Sequence, residues 1–91
     1  MSTTMDATQA AEAMGYDWAR DDEEAVEDLT AWVESVSGAT GPVADESYLP
    51  VDADELLRPL LVADPAQTFD ELRRAAVAGY TRRLVEIWRE A

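Results

Sequence analysis

A chain of 91 residues, 47% of them hydrophobic, has material for one domain with one modest core and is too apolar to be compositionally disordered. It contains no Cys and no His, which excludes disulfides, thiol nucleophiles, histidine general bases and the usual zinc ligands together. The net charge is −13 and every base is an arginine, which argues against binding nucleic acid or an anionic membrane through a basic patch.

No apolar run approaches the roughly 20 residues that span a bilayer. The stretch Met1 to Asp6 has no basic region followed by an apolar one, so no signal peptide is expected and the chain reads as cytoplasmic. A lysine-free acidic composition fits a salt-adapted (halophilic) host or a GC-rich genome. It also fits an acidic surface with a job, either repelling DNA or imitating it. The charge is uneven. Residues 1–57 hold 15 acids against Arg20 alone, and residues 58–91 hold five acids against six arginines. Copies packed front to back would bring opposite charges together; alternatively, the arginines solvate the outer face of one helix.

Asp6 with Gln9 reads as a capping box opening a first helix over Asp6 to Met14, with Ala7, Ala10, Ala11 and Met14 on one face. Gly15 stands where a C′ glycine should end it, followed by the apolar Tyr16. A face of small residues packs either closely or weakly. Asp21 and Asp22 then read as an N-cap, Asp21 pairing with Glu24, for a second helix whose stripe is Ala25, Val26, Leu29, Trp32, Val33 and Val36. On that reading Asp21, Asp22, Glu23 and Glu24 sit at the positive end of the helix dipole and have a structural reason to exist. Residues 38–51 read as a loop, with Tyr48, Leu49 and Val51 able to form a short extended piece. Asp45 and Glu46 would form its projecting acidic tip.

A third, short helix starts at Asp52 with Glu55 as capping partner. Pro59 should kink or split it, and it should end before Asp64-Pro65. The long fourth helix opens at Thr68 with Glu71 and carries Phe69, Leu72, Ala76, Tyr80, Leu84, Ile87 and Trp88 as its core face. Asp70–Arg74 and Arg82–Glu86 are spaced as i,i+4 ion pairs. Gly79 lowers helix propensity and permits close approach of another helix, in this chain or in a neighbouring copy. Val77 and Val85 lie off the main stripe, so they face a partner or cover the edge of the core. The expected fold is all-α: one domain, a small bundle of about four helices, with the first few residues flexible.

Catalytic equipment is not found. No glycine-rich loop follows a strand, and the serines have no histidine to activate them. Carboxylates are too abundant for any pair to be informative, and no metal or cofactor is expected. Trp32 and Trp88 fall on core stripes. Trp18 falls in a loop between two acidic patches, where it is either an exposed aromatic contact or the cover of a corner between helices. Trp18, Tyr48, Asp45 and Glu46, with the arginines Arg73, Arg74, Arg82 and Arg83, are therefore the candidate interaction residues.

The segment from Ala7 to Gly41, above all RDDEEAVEDLTAWVESVSGATG (Arg20 to Gly41), resembles the N-terminal half of the small head–tail connector (adaptor) proteins of tailed phages and viruses. Asp21 and Asp22 match that family's aspartates, Leu29, Trp32 and Val33 its apolar positions, and Thr40-Gly41 its turn. Phe69 to Glu90 is similar to a later helix of the family, with Tyr80 and Arg82 or Arg83 corresponding. Together the two segments cover about half of the chain. The Pro59 segment and the large acidic excess are not diagnostic of the family. The resemblance implies a ring of identical subunits between portal and tail, assembled in the cytoplasm and carried in the virion. DNA would pass through an acidic channel without being held, and Asp45 and Glu46 would lie at the lumen or a partner contact. Two other readings stand beside it: an acidic inhibitor that mimics DNA, and a small accessory or antitoxin-type subunit that docks on a basic partner.

Overall fold

The computed structural model describes residues 6–90; the flexibility expected of the first few residues concerns positions outside that range. The fold is all-α, four helices with one minimal hairpin. The order is α1 (Ala7–Ala25), α2 (Leu29–Ser35), β1 (Ser37–Gly38), β2 (Gly41–Pro42), a single 3-10 turn (Glu46–Tyr48), α3 (Ala53–Ala63) and α4 (Phe69–Glu90).

The capping box at Asp6 forms as expected: the Asp6 carboxylate accepts the Gln9 N–H at 2.8 Å, and Gln9 Oε1 accepts the Asp6 N–H at 3.1 Å. The helix does not stop at Gly15, however. It runs ten residues further and includes Trp18 and the whole acidic run Asp21–Glu24. The reason is packing. Ala7, Ala11, Gly15 and Ala19 are buried at four-residue spacing, a ridge of small side chains that lies along α4. A β-carbon on Gly15 would collide with the Ala76 backbone, and one on Gly79 with the Glu12 backbone. Gly15 is thus a close-approach glycine, not a helix terminator, and Gly79 serves the same crossing from the other side. The pairs Gly15–Ala76, Asp22–Tyr80 and Glu23–Arg83 advance together along the chain, so α1 and α4 run in the same direction.

The second helix is correspondingly shorter than its stripe. Val26 caps α1, and Asp28 opens α2 by accepting the Ala31 N–H at 3.0 Å. Of the expected stripe only Val33 is buried; Leu29, Trp32 and Val36 are half-buried, and Ala25 is exposed. The segment read as a loop contains the two-residue hairpin, Ser37 facing Pro42 and Gly38 facing Gly41. Gly41 takes φ +116°, a conformation that favours glycine. Tyr48 belongs to the 3-10 turn, not to an extended piece. Pro42, Ala44 and Leu49 are buried, and the Ala44 N–H donates to Thr81 Oγ1 at 3.0 Å, so this segment is packed onto α4 and does not project.

Pro59 lies inside α3 without splitting it. Pro59 and Glu55 are both exposed, so the Glu55 carbonyl that loses its donor can face water. Asp52 occupies the N-cap position of α3 but makes no side-chain capping bond, so its box with Glu55 does not form. On α4, Thr68 Oγ1 accepts the Glu71 N–H at 3.2 Å. Leu72, Ala76, Gly79, Tyr80, Leu84 and Ile87 are buried; Phe69 is half-buried, and Trp88, expected in the core, is 43% exposed over the hairpin beside Gly41.

The core consists of three small clusters stacked along α4. At one end are Ala7, Ala11, Leu57 and Leu72; next come Leu49, Ala53 and Ala76; at the other end are Ala19, Ala44, Tyr80 and Leu84. Val77 packs against the latter two, which accounts for it within the chain. No described helix is long and apolar enough to cross a membrane.

Candidate partner-binding surface

Trp18 stands on α1, not in a loop, and is half-buried against all three core clusters. It is therefore chiefly a packing residue that keeps part of its side chain accessible. Tyr48 is also half-buried, its ring edge-on to that of Tyr80 at 5.6 Å between centroids. Asp45 is exposed but braces its own turn. Its carboxylate accepts the Ser47 N–H at 2.8 Å and a bond from the Ser47 hydroxyl, which hold it below the ordinary carboxylate range, the hydroxyl most strongly. Glu46 approaches Arg73 at 3.9 Å. The acidic tip is thus a capped turn beside an arginine.

The arginines of α4 largely face acids of the same chain. Arg73 donates to Asp54 at 2.8 Å and to Asp70, and the Asp54 bond leads in raising its pKa. Arg82 pairs with Glu12 at 2.9 Å and lies 4.7 Å from the centre of the Tyr16 ring, a cation–π arrangement. Arg83 donates from two nitrogens to the two Glu23 oxygens, both at 2.9 Å, and reaches Glu86 at 3.2 Å. Its pKa is raised, by Glu23 first. The Tyr16 hydroxyl donates to Glu86 and, ahead of Arg83, holds that carboxyl below its ordinary range. The i,i+4 pairs read from the sequence are replaced by i,i+3 pairs, Asp70–Arg73 and Arg83–Glu86, because Arg74 and Arg82 point elsewhere. Arg74 is exposed and pairs with no acid among the described residues. Packing of α1 and α3 on α4 thus engages Arg73, Arg82 and Arg83 within the chain, while most acids of the front half remain without an arginine.

Fourteen of the twenty acids form no ion pair among the described residues, and three of them, Asp21, Asp22 and Glu24, cluster in one run. Asp21, Asp22, Glu23 and Glu24 lie in the last turns of α1, the negative end of its dipole, and not at the positive end of α2. Glu23 is neutralised by Arg83, and Asp22 accepts a bond from the Tyr80 hydroxyl. Burial, and then Asp22, push the Tyr80 phenol well above its ordinary pKa. Asp21 and Glu24 meet no arginine within 4 Å among the described residues, although Arg20 stands near both and shares a shallow depression with them and Asp17.

Beside this run the chain forms a groove of 440 Å³, lined by Trp18, Asp21, Asp22, Tyr48, Leu49, Pro50 and Val51. Two of the residues singled out from the sequence, Trp18 and Tyr48, meet here. Asp45, Glu46 and the α4 arginines do not line it. Asp21, Asp22 and the Leu49–Val51 floor were not legible as a site, because their proximity depends on the full length of α1. Chemically the groove offers aromatic faces, an apolar floor and a carboxylate rim. Those features suit recognition of a cation attached to apolar surface and provide no nucleophile or general base of the histidine or cysteine kind. Among the described residues no group of three or more Asp and Glu is arranged to hold a metal ion. No family model, curated protein or solved structure matches this chain.

Proposed function

We propose that this protein is a non-catalytic binding subunit that docks a basic macromolecular partner on the acidic surface around the C-terminal half of α1. The observation that carries this is the position of Asp21, Asp22 and Glu24 at the negative end of a 19-residue helix, where no arginine of the described chain pairs with them. Carboxylates there work against the helix dipole and one another, so they burden the folded chain. Asp22 is relieved in part by the Tyr80 hydroxyl, but Asp21 and Glu24 meet no ion-pair partner among the described residues, and local rules broken in this way concentrate at functional surfaces. A cation supplied by a partner would relieve the conflict, and a net charge of −13 speeds encounter with a basic protein while repelling nucleic acid.

The test is calorimetric titration with an arginine-rich decapeptide at low and moderate salt. Binding should weaken steeply with salt, and the triple change Asp21→Asn, Asp22→Asn, Glu24→Gln should weaken it tenfold or more. Unchanged affinity in the triple variant would overturn the reading.

The connector remains a second reading, favoured by the exposed apolar side chains Val43, Val51, Leu56, Val62 and Trp88. Contacts between ring subunits would cover such groups. With Arg73, Arg82 and Arg83 engaged within the chain, the ring contact would be apolar more than ionic, and the α1 acids would line the DNA channel. A ring-sized mass by light scattering, strengthened in molar salt, would support it.

A further inference from the structure

We propose that the groove between the second half of α1 and Tyr48–Val51 receives an extended peptide segment of a partner protein, in which an arginine is followed by an apolar residue. This rests on the basic-partner reading above and gives it an address. The groove holds 440 Å³, within the ~300–1,000 Å³ range of pockets that enclose small ligands and enough for a few side chains. Its lining combines two chemistries: the aromatic Trp18 and Tyr48 with the carboxylates Asp21 and Asp22, and the apolar Leu49, Pro50 and Val51.

Charge complementarity selects the occupant. An arginine whose guanidinium lies over the exposed part of the Trp18 ring face can also reach a neighbouring carboxylate, combining cation–π attraction with a charge-assisted hydrogen bond. No arginine of α4 lines the groove, and Arg73, Arg82 and Arg83 are engaged elsewhere by Asp54, Glu12 and Glu23. Arg20 lies near Asp21 but makes no ion pair among the described residues, and with Asp17, Asp21, Asp22 and Glu24 the surroundings remain net negative. The apolar residue after the arginine would cover Val51, a side chain that is 108% exposed and therefore has no role in the described core. A phosphate-bearing ligand is disfavoured by the same carboxylates.

The experiment is a ¹H–¹⁵N NMR titration of the full chain at low salt. The probes are an eight-residue peptide with a central Arg-Leu flanked by Gly and Ser, and the same peptide with Arg-Ser or Glu-Leu. The expected result is saturable shifts at the Trp18 indole and the amides of Tyr48, Leu49 and Val51 with Arg-Leu. Affinity should be at least fivefold weaker for Arg-Ser and lost for Glu-Leu. Val51→Ser and Asp21→Asn change exposed side chains, so both variants should fold, verified by unchanged amide dispersion; each should weaken Arg-Leu binding at least fivefold. Shifts spread evenly over the acidic surface, or confined to acids away from the groove, would overturn the groove while leaving the basic-partner reading standing. Absence of shifts at millimolar Arg-Leu, together with no binding of the arginine-rich decapeptide, would overturn both.

Discussion

Gly15 and Gly79 lack side chains because two helix backbones meet there. Adding a methyl at either position drives it into a main-chain carbonyl of the opposite helix, and backbone cannot yield as a flexible side chain can. Gly15→Ala and Gly79→Ala should each destabilise the fold by about 3 kcal/mol or more, against the gain of about 1 kcal/mol that helix propensity alone would give. Chemical denaturation decides between these signs. Tyr80 makes the second residue-scale case. Burial and the Asp22 carboxylate raise its pKa, so the phenol stays protonated in the folded chain at a pH where the unfolded chain ionises. Its contribution is complete below about pH 10, the ordinary phenol value, and is lost as pH rises from there toward the higher folded value. Thermal unfolding of the wild type should thus show stability falling above that pH, with a shallower fall in Tyr80→Phe. Identical slopes in the two would show that the phenol is not shielded.

At the scale of elements, α1 is two half-helices with different sources of stability. Its first half has a complete capping box and a ridge of small residues against α4. Its second half carries acids against the dipole and is held from outside, by Arg83 on Glu23 and Tyr80 on Asp22. Arg83→Gln should therefore raise amide exchange over residues 20–25 while leaving residues 10–16 protected. A uniform rise along α1 would mean that the helix opens as one unit. The same conflict predicts that Glu24→Gln, which removes a carboxylate from the negative end, raises the thermal midpoint at low salt, with the gain fading as salt screens the charge. A lower midpoint would reveal a stabilising role for that carboxylate in the fold.

For the whole molecule, the arginines of α4 and the acids of α1 and α3 join the two ends of the chain, yet the 20 acids exceed the seven arginines and leave a net charge of −13. Self-repulsion of the remainder should make the denaturation midpoint rise between low and molar salt, because the compact state concentrates like charges more than the unfolded chain does. A midpoint that falls with salt would show that the screened internal ion pairs outweigh the screened self-repulsion. Light scattering over the same salt range separates the two functional proposals: a monomer that binds the arginine-rich peptide fits the docking subunit, and a large assembly growing with salt fits a ring with apolar contacts.

Much of the helical content was legible in the chain because it depends on local rules. Asp6 and Thr68 start helices where their side chains can reach the N–H three residues on, and Leu72, Ala76, Tyr80, Leu84 and Ile87 repeat with the helical period that puts them on one buried face. The absence of His and Cys likewise limits chemistry whatever the fold. Where α1 ends could not be read, because a glycine after an apolar turn is equally a C′ residue or a close-contact residue; only the arrival of α4 beside Gly15 decides. Once α1 continues, an acidic run that could have capped α2 becomes a burden at the wrong end of α1, Asp28 takes over the cap, and Trp18 turns from a loop residue into one wall of a groove. The arginines behave the same way: spacing offered partners on their own helix, and tertiary packing added carboxylates from α1 and α3.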